Sequence, residues 1–243
     1  MRTASLRPLV LVLVAALAVA APAVAQPRPA PPKARPAVAL LYFDYTGKTV
    51  ELEQLRKGLA RMLISDLGAS EAFQIIERER LEEVLAELKF GQTKVIDPTS
   101  AAKIGKLLGA QLLVLGGYFD LGGKLRCDAR VVEVLTGKVV KSVGVSRKGD
   151  EFLELEQRLA TDLGEALTAA AGAAPPAPGK APPRARPAAP PKRLKSAIAA
   201  RYGRALDAKD RGDKQRARAE LAAVVKEQPD FTLAATDLAA LAR

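Results

Sequence analysis

Two proline-rich stretches decide what this 243-residue chain can fold into. QPRPAPPKARP (Gln26 to Pro36) and APPAPGKAPPRARPAAPPKR (Ala174 to Arg193) mix Pro and Ala with scattered cations. Proline fixes φ and lacks a backbone donor, and neither Pro nor Ala supplies much apolar bulk. Such segments favour extended polyproline II and bury no core. At roughly 3.1 Å per residue the second is long enough to hold its neighbours several nanometres apart. Packed structure must therefore come from a main domain, residues 37–167, and a small carboxy-terminal module, residues 194–243, with linkers over 26–36 and 168–193.

Residues 1–25 have the parts of a cleavable secretory signal. Arg2 and Arg7 precede an apolar run from Leu9 to Ala21, and Ala23-Val24-Ala25 offers an A-x-A site before Gln26. The run is too short to span a bilayer comfortably. The single cysteine, Cys127, lies far beyond the cleavage site, so none stands there to carry a lipid. The expectation is a periplasmic protein, neither lipidated nor transmembrane.

The absence of histidine excludes histidine bases, His-containing triads and His-ligated zinc, and a lone cysteine forms no internal disulfide. A net charge of +11 suggests nucleic acid until it is divided among segments. Residues 37–167 carry −2, the two linkers together +8, and residues 194–243 carry +3. Most of the positive charge sits in tethers, so no nucleic-acid partner is expected. Peptidoglycan or anionic envelope polymers touching the basic linkers, or mere solubility of those linkers, account for it.

The main domain opens with AVALLYFDY, Ala37 to Tyr45, a nearly continuous apolar run that reads as a buried strand. Leu55, Leu59, Met62, Leu63 and Leu67 fall at helical spacing, with Gly68 as a C-terminal stop. FQII, Phe73 to Ile76, reads as a second short strand. The stripe Leu81, Val84, Leu85, Leu88 predicts a helix that turns Glu79, Glu82, Glu83 and Glu87 to water, where carboxylates make poor general acids. Asp97, Pro98 and Gly109 bound a third helix, with Asp97 as N-cap and Gly109 as the C-terminal exit.

QLLVLGGYFDL, KLRCDARVVEVL and KVVKSVGVSRK follow as strands, with turns at Gly122-Gly123 and Thr136-Gly137. Cys127 falls on the apolar face of its strand and reads as core. The paired glycines fit no phosphate-binding motif. A last helix spans about Phe152 to Leu167. The order β-α-β-α-α-β-β-β-α indicates an α/β fold, a mixed sheet covered by helices. Asp44 ends the first strand, where such sheets often hold ligands, but no second convergent group accompanies it.

After the second linker, Tyr202, Ala205, Gly212, Ala217, Leu221 and Pro229 lie at offsets that resemble one tetratricopeptide repeat, a candidate protein-interaction module. A single repeat rarely buries a core. It must lean on this chain's own domain, a second copy or a partner, unless it closes as a three-helix bundle with Leu233, Leu238 and Leu241.

In order along the chain, AVALLYFDY, FQIIERERLEEVLAEL, AAKIGKLLGAQLLVLGGYF and ARVVEVLTGKVV resemble the periplasmic domain of the curli-secretion CsgG family. TolB amino-terminal domains, FlgO-type flagellar proteins and lipoprotein activators of penicillin-binding proteins are its relatives. The resemblance implies structural roles for Arg78, Gly109 and Gly137 and no cofactor. It implies an exported, non-catalytic envelope adaptor that docks envelope or outer-membrane proteins, with homo-oligomers left open. Activation of a peptidoglycan synthase is the alternative. The channel-forming members insert lipid-facing hairpins; here Arg126, Asp128 and Arg130 alternate with Leu125, Cys127, Ala129 and Val131, which suits a sheet with one wet face.

Overall fold

β1 (Ala37–Leu40) runs parallel to β3 (Gln74–Ile75) on one side and to β4 (Leu112–Leu121) on the other. Buried from Val38 to Phe43, this segment meets side chains on both faces, which is why its apolar residues do not alternate. The computed structural model describes residues 35–88, 98–172 and 193–242. The expected signal segment, most of both expected linkers and the expected Asp97 cap lie outside them.

The six-stranded sheet has the order β3-β1-β4-β5-β6, with β2 (Asp44–Tyr45) also paired to β4. β4, β5 (Lys124–Glu133) and β6 (Val139–Lys148) form an antiparallel meander, so the sheet is mixed. Gly122 and Gly123, at φ +58° and +74°, make the two-residue turn that fits the twist of the β4–β5 hairpin. Along β5, Leu125, Cys127, Ala129 and Val131 are at most 2% exposed, whereas Arg126 and Arg130 are exposed.

Three expectations need adjusting. The run Ala37 to Tyr45 divides into β1 and β2, because Leu40 pairs with Val114 and Asp44 with Gly117: four steps on one strand against three on the other. The extra residue bulges, and Phe43 lays its ring where a side chain on Gly116 would sit, which explains a glycine there. The FQII strand shrinks to Gln74–Ile75, with Phe73 turned into the core. Gly68 ends its helix with ordinary right-handed φ (−62°), its N–H donating to the Ile64 carbonyl, and so uses none of glycine's left-handed freedom.

The helices α1 (Val50–Glu53), α2 (Leu55–Leu67), α3 (Arg78–Glu87), α4 (Pro98–Leu107) and α5 (Phe152–Ala170) surround the sheet. α5 packs on the Cys127 face of β5 and β6, with α2 beside it. α4 approaches the other face, where Gly105 lies against Leu113 and Val134. α6 (Ser196–Asp210), α7 (Lys214–Glu227) and α8 (Thr232–Ala240) form a helical hairpin with a short third helix, and α6 packs along α2. The described residues all belong to one compact unit, Ala34–Arg243.

Inside α5 sits a polar residue that the apolar stripe does not require. Glu156 is 1% exposed, and its Oε1 has no hydrogen-bond partner. Burial, and then the negative charge of Asp66, push its carboxyl well above the usual range, so it is held neutral. In the unfolded chain it ionises near its ordinary value of 4.5. Stability therefore falls as pH rises above that value, by at most about 1.4 kcal/mol per pH unit, until the raised folded value is reached. Urea unfolding is expected to show Glu156→Gln more stable than wild type near pH 8, with the difference shrinking towards pH 4.5.

Candidate functional site

Charged residues gather where the hairpin meets the sheet domain. Arg78 opens α3 and is fully buried. Its Nη1 lies 2.7 Å from Asp210 Oδ2 at the end of α6 and donates to the Tyr42 hydroxyl at 3.4 Å. Lys57, on α2 and 6% exposed, reaches the same Asp210 oxygen at 2.6 Å, Glu82 at 3.1 Å and Asp207 at 3.2 Å. Its ammonium also stands 5.7 Å from the centre of the Tyr42 ring, within cation–π range. The Tyr42 hydroxyl donates to Glu82. Three helices thus converge on one buried network.

Burial opposes the charges of Asp210, Lys57 and Arg78, and the pairing outweighs it. For Asp210, hydrogen bonds and charge from Arg78, then Lys57, hold the carboxyl below its usual range despite desolvation. Lys57 is held more strongly protonated than an ordinary lysine by Asp210 and Glu82, against the same burial. Arg78 is pushed up likewise.

A close helix crossing makes these distances attainable. Gly58 of α2 faces α6, and a Cβ there would stand 2.6 Å from the Ala199 carbonyl oxygen. A Cβ on Gly203 would fall on the Gln54 carbonyl oxygen. Two missing side chains let the backbones of α2 and α6 touch, which brings Asp210 over Lys57 and Arg78.

The glutamates of α3 do not all face water. Glu79 and Glu83 are exposed, the latter paired with Arg80 at 2.7 Å. Glu82 is drawn in, because Tyr42, Lys57 and Arg78 lie on its side of the helix. It serves this network as an acceptor among cations. Asp44 is set against Arg56 at 3.2 Å, and burial raises its carboxyl while Arg56 opposes the rise.

Of the repeat-like residues, Tyr202, Ala205, Ala217 and Leu221 are at most 1% exposed and join α6 to α7 and α8. The Tyr202 hydroxyl donates to Asp237, and its ring meets Phe231 edge-on at 5.0 Å. Gly212 turns the chain after α6 at φ +79°, and Pro229 lies exposed before α8. Tyr202, Ala205, Ala217 and Leu221 thus serve the packing of the hairpin itself. Gly109 and Gly137 take φ of +68° and +70° in turns after α4 and β5. Lys57, Gly58, Gly203 and Asp210 were not signalled by apolar periodicity; a glycine inside each of two helices was the one available hint.

A cleft of about 440 Å³ lies between α1, α6 and the start of α7. Two of its arginines are engaged, Arg204 with Glu220 at 3.4 Å and Arg211 with Asp207 at 2.6 Å. Among the described residues, no group of three or more Cys, Asp or Glu is arranged to hold a metal.

Two outcomes follow for the seam. Gly203→Ala is expected to force the helices apart and lower stability by about 1–3 kcal/mol in spite of alanine's better helix propensity, as read by urea unfolding. Asp210→Ala removes the acceptor that two buried cations share, leaving Lys57 to Glu82 and Asp207 and Arg78 to Glu79 and Glu82, and is expected to cost about 3 kcal/mol. Because the folded carboxyl titrates below its ordinary 3.8, that contribution is full above 3.8 and is lost as pH falls through the folded value. The stability gap between wild type and Asp210→Asn should therefore close in acid.

Residues 23–126, a little under half of the chain, match the family described as curli production assembly/transport component CsgG. A search of curated proteins found no match. Among solved structures, lipoprotein GNA1162 from Neisseria meningitidis is similar at 13% identity over 52% of this chain and 94% of its own, with a TM-score of 0.41. The C-terminal domain of LpoB from Escherichia coli is 13% identical over 47% of this chain and 84% of its own, with a TM-score of 0.40. TolB from Acinetobacter baumannii is 13% identical over 57% of this chain and 29% of its own, with a TM-score of 0.38. The sheet domain of this chain is thus CsgG-like over residues 23–126.

Proposed function

We propose that this protein is a non-catalytic adaptor of the bacterial cell envelope, exported to the periplasm, which works by docking other proteins. The observation that carries this reading is the match of residues 23–126 to a curli assembly and transport component. The fate of the buried charges supports it. Lys57, Arg78, Glu82 and Asp210 pair with one another in a seam between helices, which fastens surfaces together. Among the described residues no helix is long and apolar enough to cross a membrane.

In this reading the sheet domain and the hairpin work as one body, because α6 lies along α2. The tetratricopeptide-like hairpin then presents the outer sides of α7 and α8 to a peptide or helix of the partner, and the basic linkers add weak, salt-sensitive attraction to anionic envelope polymers.

The test is retention of envelope proteins on the immobilised chain lacking residues 1–25. The same small set of proteins is expected on wild type and on Asp44→Ala. Retention of nothing reproducible would count against the adaptor. So would a substrate screen that finds a turnover which Asp44→Ala abolishes. Stimulation of a peptidoglycan synthase by the added protein would assign its partner to the cell wall.

A further inference from the structure

β6 is a ten-residue strand at the edge of the sheet, and among the described residues nothing pairs with its outer side. The opposite edge strand, β3, has only two residues. A long open edge is a row of unpaired backbone donors and acceptors, which proteins usually shorten, cover or charge.

The direction of those groups can be assigned. The Gly149 N–H donates to the Gly123 carbonyl at 3.0 Å, which makes this a hydrogen-bonded pair at the end of the β5–β6 ladder. In an antiparallel ladder such pairs recur at every second residue. Arg147, Val145 and Val143 therefore bond inward to Leu125, Cys127 and Ala129. Ser142, Gly144 and Ser146 turn their N–H and C=O groups outward.

The side chains around this edge are small or basic. Ser142, Gly144 and Ser146 share the sheet face turned away from Cys127, opposite Arg130, Asp128 and Arg126. Asp128 is already paired with Arg126 at 2.7 Å, and Arg130 is exposed. Lys141, Arg147 and Lys148 are exposed on β6 itself, which contains no acidic residue. Exposed Leu135, Val139 and Val140 sit at its start. A second copy of β6 brought alongside would set cations against cations. A strand rich in acidic residues would meet them favourably, and the small row Ser142-Gly144-Ser146 leaves room for its larger side chains.

We propose that β6 receives an extended acidic segment of a partner protein by strand addition, with the outward groups of Ser142, Gly144 and Ser146 supplying main-chain bonds and Lys141, Arg130 and Arg147 selecting its charge. The proposal rests on the docking role, and its test is independent of finding the native partner.

The experiment titrates the chain lacking residues 1–25 with a synthetic ten-residue peptide of alternating Glu and Val, and with its Lys-Val counterpart. The readout is backbone amide exchange by NMR. The acidic peptide is expected to protect the Ser142, Gly144 and Ser146 amides, and to bind about tenfold more weakly when sodium chloride is raised from about 50 to 500 mM. Ser146→Pro removes one outward N–H on the solvent side of an edge strand, where proline is tolerated, and should abolish protection while Ser146→Ala retains it. Should Ser146→Pro fail to fold, Lys141→Glu with Arg147→Glu leaves the backbone intact and should weaken acidic-peptide binding about tenfold or more. Equal binding of the Lys-Val peptide, or no protection by the acidic one, would overturn the proposal, the basic residues then serving only to keep strands away. Protection that rises with protein concentration alone would overturn it in favour of a second copy. Neither of these results touches retention of envelope proteins, so failure here is distinguishable from failure of the adaptor reading.

Discussion

One carboxylate, that of Asp210, holds the molecule's two parts in register. It accepts from Arg78 and Lys57, which come from different helices of the sheet domain, while it belongs to the helix that enters after the second linker. Buried ion pairs contribute little net stability against well-packed apolar groups, but breaking one is costly, so they serve best to forbid alternatives. A hairpin docked one turn out of place would take Asp210 from both cations and leave them only the carboxylates of α3, Glu82 for Lys57 and Glu79 with Glu82 for Arg78. The Gly58–Gly203 crossing and the ionic network depend on each other: the glycines bring the backbones close enough for Asp210 to reach, and the charges fix which closeness is used.

The sheet domain was largely legible because its signals are local. Unbroken apolar residues marked β1, alternation marked β5, and leucine stripes marked α2, α3 and α5 with ends within a few residues of those observed. Places where the reading needed adjusting are those where tertiary contact decides. The bulge after Leu40 depends on the pairing of β4 with two successive strands, which no window of sequence reveals. Glu82 looked like its solvated neighbours until a tyrosine forty positions earlier and a lysine from another helix were placed beside it. Glu156 was hidden in the same way, as a carboxyl on the covered side of an otherwise regular amphipathic helix.

The linker composition suggested a hairpin held at a distance, and the docked α6 gives a different picture of how the parts work. Among the described residues, Arg126 and Arg130 are exposed on their sheet face, and the outer side of β6 pairs with no other strand. Of the residues that resembled a repeat, Tyr202, Ala205, Ala217 and Leu221 are buried between the helices, whereas Gly212 and Pro229 are exposed. The candidate site was therefore only partly readable: sequence marked helices beyond residue 194, while the charged seam required three-dimensional juxtaposition of Lys57, Arg78 and Asp210.

The position of Cys127 has a chemical corollary. At 0% exposure between sheet and α5, and with burial pushing its thiol up towards the unreactive neutral form, it is shielded from oxidants while the sheet stays closed. Any covalently crosslinked dimer found in an oxidising milieu would then be a fossil of molecules that had opened, a cumulative record of unfolding written in sulfur.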